Sequence, residues 1–241
     1  MPLTESYATG PAEPAVRDIT LGAALAEAAA ETPDKLALVA GVADPAERRS
    51  WTYAELHDAS LQVARALLTR FEPGERVAVW APNIPEWVHM EYGCALAGVV
   101  LVTVNPSYQP DEIAYVLRQS RSAGIFVLPE FRGNRMLHHL ESVIDQCPEL
   151  REVIRFDEWD AFIAAGADDS IALPEVEPGD ACMIQYTSGT TGFPKGALLH
   201  HRGLVNNGAH TAQRGGVPRG GTYMGYMPLF HTGGCVAIVL G

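Results

Sequence analysis

The sequence predicts an α/β fold: mainly parallel sheets flanked by helices. Short unbroken apolar runs, among them Val77-Ala78-Val79-Trp80 and residues 99–104, lack the alternation of a half-exposed strand and suit strands covered on both faces. Stretches of helical period separate these runs, and parallel pairing needs crossovers of that length. Of the 241 residues, 47% are hydrophobic and 19% charged, which is enough apolar surface for a core and too little charge for disorder.

Residues 1–17 hold three prolines and no periodicity, and read as a loose leader. An Ala- and Leu-rich helix is expected over 21–31, closed by Pro33, then a strand over 36–40 and a polar turn over 41–49. Thr52 with Glu55 three residues later is a capping-box pattern, and the helix it opens sets Leu56, Ala59, Val63 and Leu67 on one face. Pro73-Gly74 turns the chain into a strand over 77–80. A helix over 84–97, with Pro85 in its first turn, leads to a β-branched strand over 99–104. Pro110-Asp111-Glu112 starts a helix carrying Ile113, Val116 and Leu117; a strand over 125–128 and a helix over 132–145 follow. Val153-Ile154 reads as one more strand and 158–165 as one more helix. A second section opens near Leu173: strand 181–186, a loop rich in glycine and hydroxyls, strand 196–200, helix 202–213, a strand-like stretch 223–227 and a further element from Leu229. The expected organisation is a leader at 1–17, an α/β subdomain at 18–172 and the start of another section at 173–241. The apolar run 235–241 reads as a buried element cut at its end, or as an interface.

Lys plus Arg number 17 and Asp plus Glu 29, a net charge of −12. Nonspecific nucleic-acid or anionic-membrane binding needs a basic field, so neither is expected. The four cysteines, Cys94, Cys147, Cys182 and Cys235, are far apart, with no CxxC pair; free thiols in a reducing compartment are the expectation, and a zinc site is not. Without a signal-peptide pattern or a bilayer-length apolar stretch, the chain reads as cytoplasmic.

The chemistry concentrates in Tyr186-Thr187-Ser188-Gly189-Thr190-Thr191-Gly192-Phe193-Pro194-Lys195-Gly196. Thr187, Ser188, Thr190 and Thr191 supply hydroxyls. Gly189 and Gly192 let backbone N–H groups turn outward, and Lys195 adds a point charge. Such a set makes a polyphosphate cradle. A flexible linker is the bland alternative, but Pro194-Lys195-Gly196 stiffens the exit and fixes where the lysine points. It is not a Walker loop, which needs Gly-Lys followed by Ser or Thr at a helix start.

Every position of this stretch resembles the signature loop of the AMP-forming acyl-CoA synthetases, within the adenylate-forming ligase superfamily. Trp51-Thr52-Tyr53-Ala54-Glu55-Leu56 is similar to that family's early strand-to-helix entry, and Val79-Trp80-Ala81-Pro82-Asn83 and Val104-Asn105-Pro106 resemble its recurrent strand ends. Met227-Pro228-Leu229-Phe230-His231-Thr232-Gly233-Gly234 is similar to a second motif, beside the acyl pocket. The resemblance spans about residues 19 to 241. It implies the N-terminal part of the large domain of an adenylate-forming ligase, incomplete at the C-terminus.

The resemblance implies ATP, Mg2+ and coenzyme A as co-reactants. A carboxylic acid attacks the α-phosphorus of ATP to give an acyl-adenylate and pyrophosphate, and a thiol then displaces AMP. Thr187, Ser188, Gly189, Thr190, Thr191, Gly192 and Lys195 would hold the ATP phosphates, and His231 would gate or line the acyl pocket. The position of His231 carries an aspartate in amino-acid-activating relatives, where it pairs with the substrate ammonium. An unpaired buried ammonium is costly, so a fatty, aromatic or alicyclic acid is expected, with fatty-acyl-CoA synthetases the nearest likeness. His200 and His201 read as ordinary loop residues, and Arg202 as a surface charge at a helix start. The family's adenine, ribose and adenylation-lysine motifs have no match in the chain, so no catalytic residue is assigned, metal ligands are unknown, and the 241 residues alone are expected to be inactive. Self-association through an open sheet edge is expected. The alternative is a non-catalytic remnant that binds acyl groups or polyphosphate.

Overall fold

The computed structural model describes residues 6, 7, 9, 13–187 and 194–241. A six-stranded sheet organises them, in the order β6-β5-β3-β4-β7-β8. The strands are β3 (Arg76–Trp80), β4 (Val100–Val104), β5 (Gly124–Val127), β6 (Glu152–Arg155), β7 (Ala181–Thr187) and β8 (Lys195–His200). The first five in that order pair in parallel, and β8 closes one edge antiparallel to β7. A separate antiparallel pair joins β1 (Leu36–Val39) to β2 (Ser50–Thr52). The α/β class read from the sequence is therefore the class observed.

Alternate residues of each strand enter different cores. Val77, Val79, Leu101, Phe126 and Met183 face one layer, with α1 (Leu21–Glu31), α2 (Tyr53–Leu68), α3 (Pro85–Ala97) and α6 (Trp159–Ala164). Ala78, Trp80, Val100, Val102, Ile125 and Ile184 face the other, with α4 (Pro110–Ser120) and α5 (Met136–Glu141). Burial on both sides explains the unbroken apolar runs.

Helix α2 begins as the capping box requires. Thr52 Oγ1 accepts from Glu55 N–H at 3.2 Å, and Glu55 Oε2 accepts from Thr52 N–H at 2.8 Å. Helix α3 is wrapped by protein almost all round, so it has no polar face. Gly93 lets α2 come close: a Cβ there would stand 2.3 Å from Val63 Cγ1. Gly98, at φ +65°, ends the helix in the left-handed region that glycine tolerates best.

Two expected elements differ. Residues 132–145 do not form one helix, because Arg132 and Gly133 have φ of 50° and 82° and turn the chain between Phe131 and Asn134. Helix α5 begins after that turn, and a 3₁₀ turn, Ile144–Gln146, follows it. Residues 223–227 form no strand: Asn83 holds their carbonyls, and Tyr223, Met224 and Tyr226 stand exposed. Beyond them come a tight turn, a helical turn Thr232–Gly234 and a π-helix Cys235–Leu240. No helix among the described residues is long and apolar enough to cross a membrane.

Candidate functional site

Parallel α/β sheets present ligand sites at the carboxyl ends of their strands, where the loops leave the sheet. Here that edge carries Asn83 beyond β3, Asn105 and Pro106 beyond β4, and Thr187 at the end of β7. Trp80 Nε1–H donates to Asn105 O at 2.8 Å, tying the ends of β3 and β4 together.

Thr187 is paired across the β7–β8 ladder with Lys195, and its Oγ1 donates to Lys195 O at 3.4 Å. These two ends bracket the hydroxyl- and glycine-rich stretch; Ser188, Gly189, Thr190, Thr191 and Gly192 lie outside the described residues. The exit is held from α4, where Tyr115 Oη–H donates to Pro194 O at 3.0 Å. Tyr186 Oη donates to Val116 O at 3.2 Å and also contacts Gln119. A Cβ at Gly196 would meet Gln119 Oε1 at 3.0 Å, so glycine lets the hairpin lie against α4.

The segment that carries His231 reaches the same edge. Gln185 Nε2–H on β7 donates to Cys235 Sγ at 3.2 Å, seating the start of the π-helix against the strand that ends in Thr187. His231 is exposed and opens the helical turn, with Nδ1 accepting from Gly233 N–H at 3.0 Å. When the ring is neutral its proton therefore sits on Nε2. The fold thus connects the expected Thr187, Lys195 and His231 through one strand.

The other singled-out residues have structural partners. His200 Nδ1 accepts from Gly203 N–H at 2.9 Å and caps α7 (His201–Arg214). His201 is buried, its Nδ1 accepts from Leu21 N–H at 3.3 Å, and desolvation brings its pKa down to about 4. Arg202 pairs with Asp18 at 3.1 Å on the surface. All four cysteines are free and buried, and burial pushes the Cys94, Cys182 and Cys235 thiols up.

Two features escaped the sequence reading. Asn83 grips the backbone on both sides of Met227, and its sequence signal is its place at the end of the family-like stretch 79–83, with no hint of its partner. A cleft of about 500 Å³ also opens beyond β4 and β5, lined by Ser107, Gln109, Arg132, Asn134 and His139. One guanidinium, an imidazole, two carboxamides and a hydroxyl suit polar ligand atoms. Among the described residues no group of three or more His, Cys, Asp or Glu is placed to hold a metal ion.

The family model described as "AMP-binding enzyme" matches residues 25–241. The chain belongs to that family. It is 34% identical over 232 residues to 3-[(3aS,4S,7aS)-7a-methyl-1,5-dioxo-octahydro-1H-inden-4-yl]propanoyl:CoA ligase of Mycobacterium tuberculosis, covering 92% of this chain and 44% of that protein. It is 31% identical over 241 residues to the mitochondrial medium-chain acyl-CoA ligase ACSF2 of Danio rerio, covering 88% and 39%. Among solved structures, a long-chain-fatty-acid-CoA ligase (FadD1) from Archaeoglobus fulgidus superposes with a TM-score of 0.81 at 25% identity, over 93% of this chain and 46% of that one. The chain therefore spans less than half the length of these relatives. The family named from the sequence is the family found.

Proposed function

We propose that this chain supplies the phosphate-binding hairpin and one wall of the acyl pocket of an AMP-forming acyl-CoA ligase, with a fatty acid as the acid activated. The carrying observation is that β7 holds both parts. It ends in Thr187, paired with Lys195, and two residues earlier it meets the His231 segment through Gln185 and Cys235. The reaction needs a carboxylate brought against the α-phosphorus of ATP. One P–O bond forms as the P–O bond to pyrophosphate breaks, and charge builds on the leaving oxygens. Preorganised donors and a cation at those oxygens are the main help a protein can give.

The residues present fit that demand. The Lys195 ammonium and Thr187 hydroxyl stand at the two ends of the hairpin, on the exposed side of the sheet edge. Mg2+ would arrive with the nucleotide and screen its phosphates. His231, with its Nδ1 engaged by its own turn, offers a ring face and Nε2–H to the pocket. Coenzyme A accepts the acyl group by attack of its thiolate on the adenylate carbonyl, with AMP leaving. Medium- and long-chain ligases among the relatives and structural neighbours support the fatty-acid reading.

Calorimetric titration of the chain with pyrophosphate and with ATP tests the hairpin. Lys195→Ala is expected to weaken both by about tenfold or more, as loss of a charge-assisted contact does. Wild-type affinity in that variant would remove the phosphate assignment.

A further inference from the structure

We propose that Asn83 is the positioning residue that hangs the His231 segment from the end of β3; the functional importance of that placement rests on the acyl-pocket reading above. The Asn83 carboxamide is used from both ends. Its Nδ2 donates to Met227 O at 2.8 Å and to Gly225 O at 3.4 Å, and its Oδ1 accepts from Leu229 N–H at 2.9 Å. One side chain thus behaves as a neighbouring strand's peptide group would, pairing with backbone on both sides of Met227 and Pro228. The contacts bridge more than 140 residues of sequence.

The segment needs such a holder. Residues 221–226 lie in no helix or strand, and Tyr223, Met224 and Tyr226 are exposed, so apolar burial does not fix them. From Pro228 onward the turn is internally bonded. His231 N–H donates to Pro228 O at 3.1 Å, and Gly234 N–H and Cys235 N–H donate to His231 O at 2.8 and 3.1 Å. Gly234 has no room for a side chain, since a Cβ would stand 2.2 Å from Pro228 O. The turn is therefore one bonded unit, seated by the buried Leu229, Cys235 and Val236 and tied to the sheet through Asn83 on one side and through Cys235 and Gln185 on the other. Fixing both attachments fixes His231.

The chemistry selects asparagine. A carboxylate cannot donate, and Asn83→Asp would set a negative charge against the Met227 and Gly225 carbonyls while keeping the acceptor for Leu229 N–H. Asn83→Leu keeps the approximate volume and removes all three bonds.

Amide hydrogen exchange and imidazole 1H–15N spectra of the intact 241-residue chain test this without any substrate. In Asn83→Leu the Leu229 amide should exchange about tenfold faster or more and the His231 ring resonances should shift, while the His231 amide and its Nε2–H tautomer, both set by bonds inside the turn, and the β3 amides of Val77 and Val79 should stay as they are. In Asn83→Asp the Leu229 amide should remain the better protected of the two variants. An unchanged Leu229 amide with an unshifted His231 ring, or exchange that rises equally across β3, would overturn the proposal. The acyl-pocket reading is scored separately, by whether His231→Ala weakens binding of dodecanoate. If the exchange shifts but dodecanoate binding does not, the clamp stands and the pocket reading fails.

Discussion

Phe126→Ala is expected to lower the unfolding free energy by about 3–5 kcal/mol, the largest effect of a single substitution anticipated here. Phe126 lies on β5 and is fully buried at the meeting of the sheet with residues 156–162. Its ring stands edge-on to Phe162 at 4.8 Å between centroids, and lies 5.8 Å from Phe156 and 6.4 Å from Trp159. Phe156 and Trp159 in turn stack on each other at 5.9 Å. Removing Phe126 deletes the ring shared by three others, and α6 and the close-packed backbone around it have little room to collapse into the gap. In a chain of this size the melting temperature should fall by about 6–20 °C. Exposed Met224→Ala serves as the control and should leave it unchanged. A melt of Phe126→Ala within about 2 °C of wild type would show that β5 is not part of the cooperative core.

Glu91→Met is expected to stabilise the protein by about 1–3 kcal/mol at neutral pH. Glu91 is 1% exposed in the middle of α3, and neither carboxyl oxygen has a hydrogen-bond partner among the described residues. The titratable groups around it are Tyr92 and Cys94 on α3, Cys182 on β7 and Cys235 on the π-helix, none of them a cation. Desolvation therefore holds the Glu91 pKa well above the usual carboxylate range, and the group is protonated in the fold. Below its ordinary pKa both folded and unfolded chains hold the proton and stability is unaffected. Above that pKa the unfolded chain releases the proton while the folded chain keeps it, so stability falls as pH rises. Urea unfolding from pH 5 to 9 should show this decline in the wild type above about 6.5, where the imidazoles no longer titrate, and a flatter profile in Glu91→Met. A variant less stable than wild type, with the same slope, would mean that the carboxyl has a stabilising partner.

The acid limb of the same profile has a different origin. His89 and His201 are both buried, and desolvation brings each pKa down to about 4. They are neutral in the fold, and the unfolded chain takes up protons near the ordinary imidazole value. Their contribution is complete above about 6.5 and is lost as pH falls toward about 4. Below about 6.5 the two imidazoles outweigh the single glutamate, so the stability maximum falls near that value.

Much of this protein is local in sequence. Unbroken runs such as Val100 to Val104 announce strands covered on both faces, because such a strand has no polar side to show. Thr52 and Glu55 mark the start of α2, since the reciprocal bonds of a capping box join residues three apart. The residue types between Thr187 and Lys195 suggest phosphate chemistry by themselves, and the matched motifs identify the family before any coordinate is known.

Other features depend on residues far apart in the chain. The expected helix over 132–145 is shortened because Arg132 and Gly133 take positive φ at the cleft, which helical periodicity does not register. Residues 223–227 look like a strand by composition, yet Asn83 rather than a neighbouring strand takes their carbonyls. Glu91 reads as a polar residue on a helix until α2, β7 and the π-helix close around it. The sequence by itself determined the layers and the start of α2, both set by side-chain type over a few residues. Tertiary structure alone decided which strand end holds the His231 segment and which carboxyl loses its water, because both depend on groups that only folding brings within bonding distance.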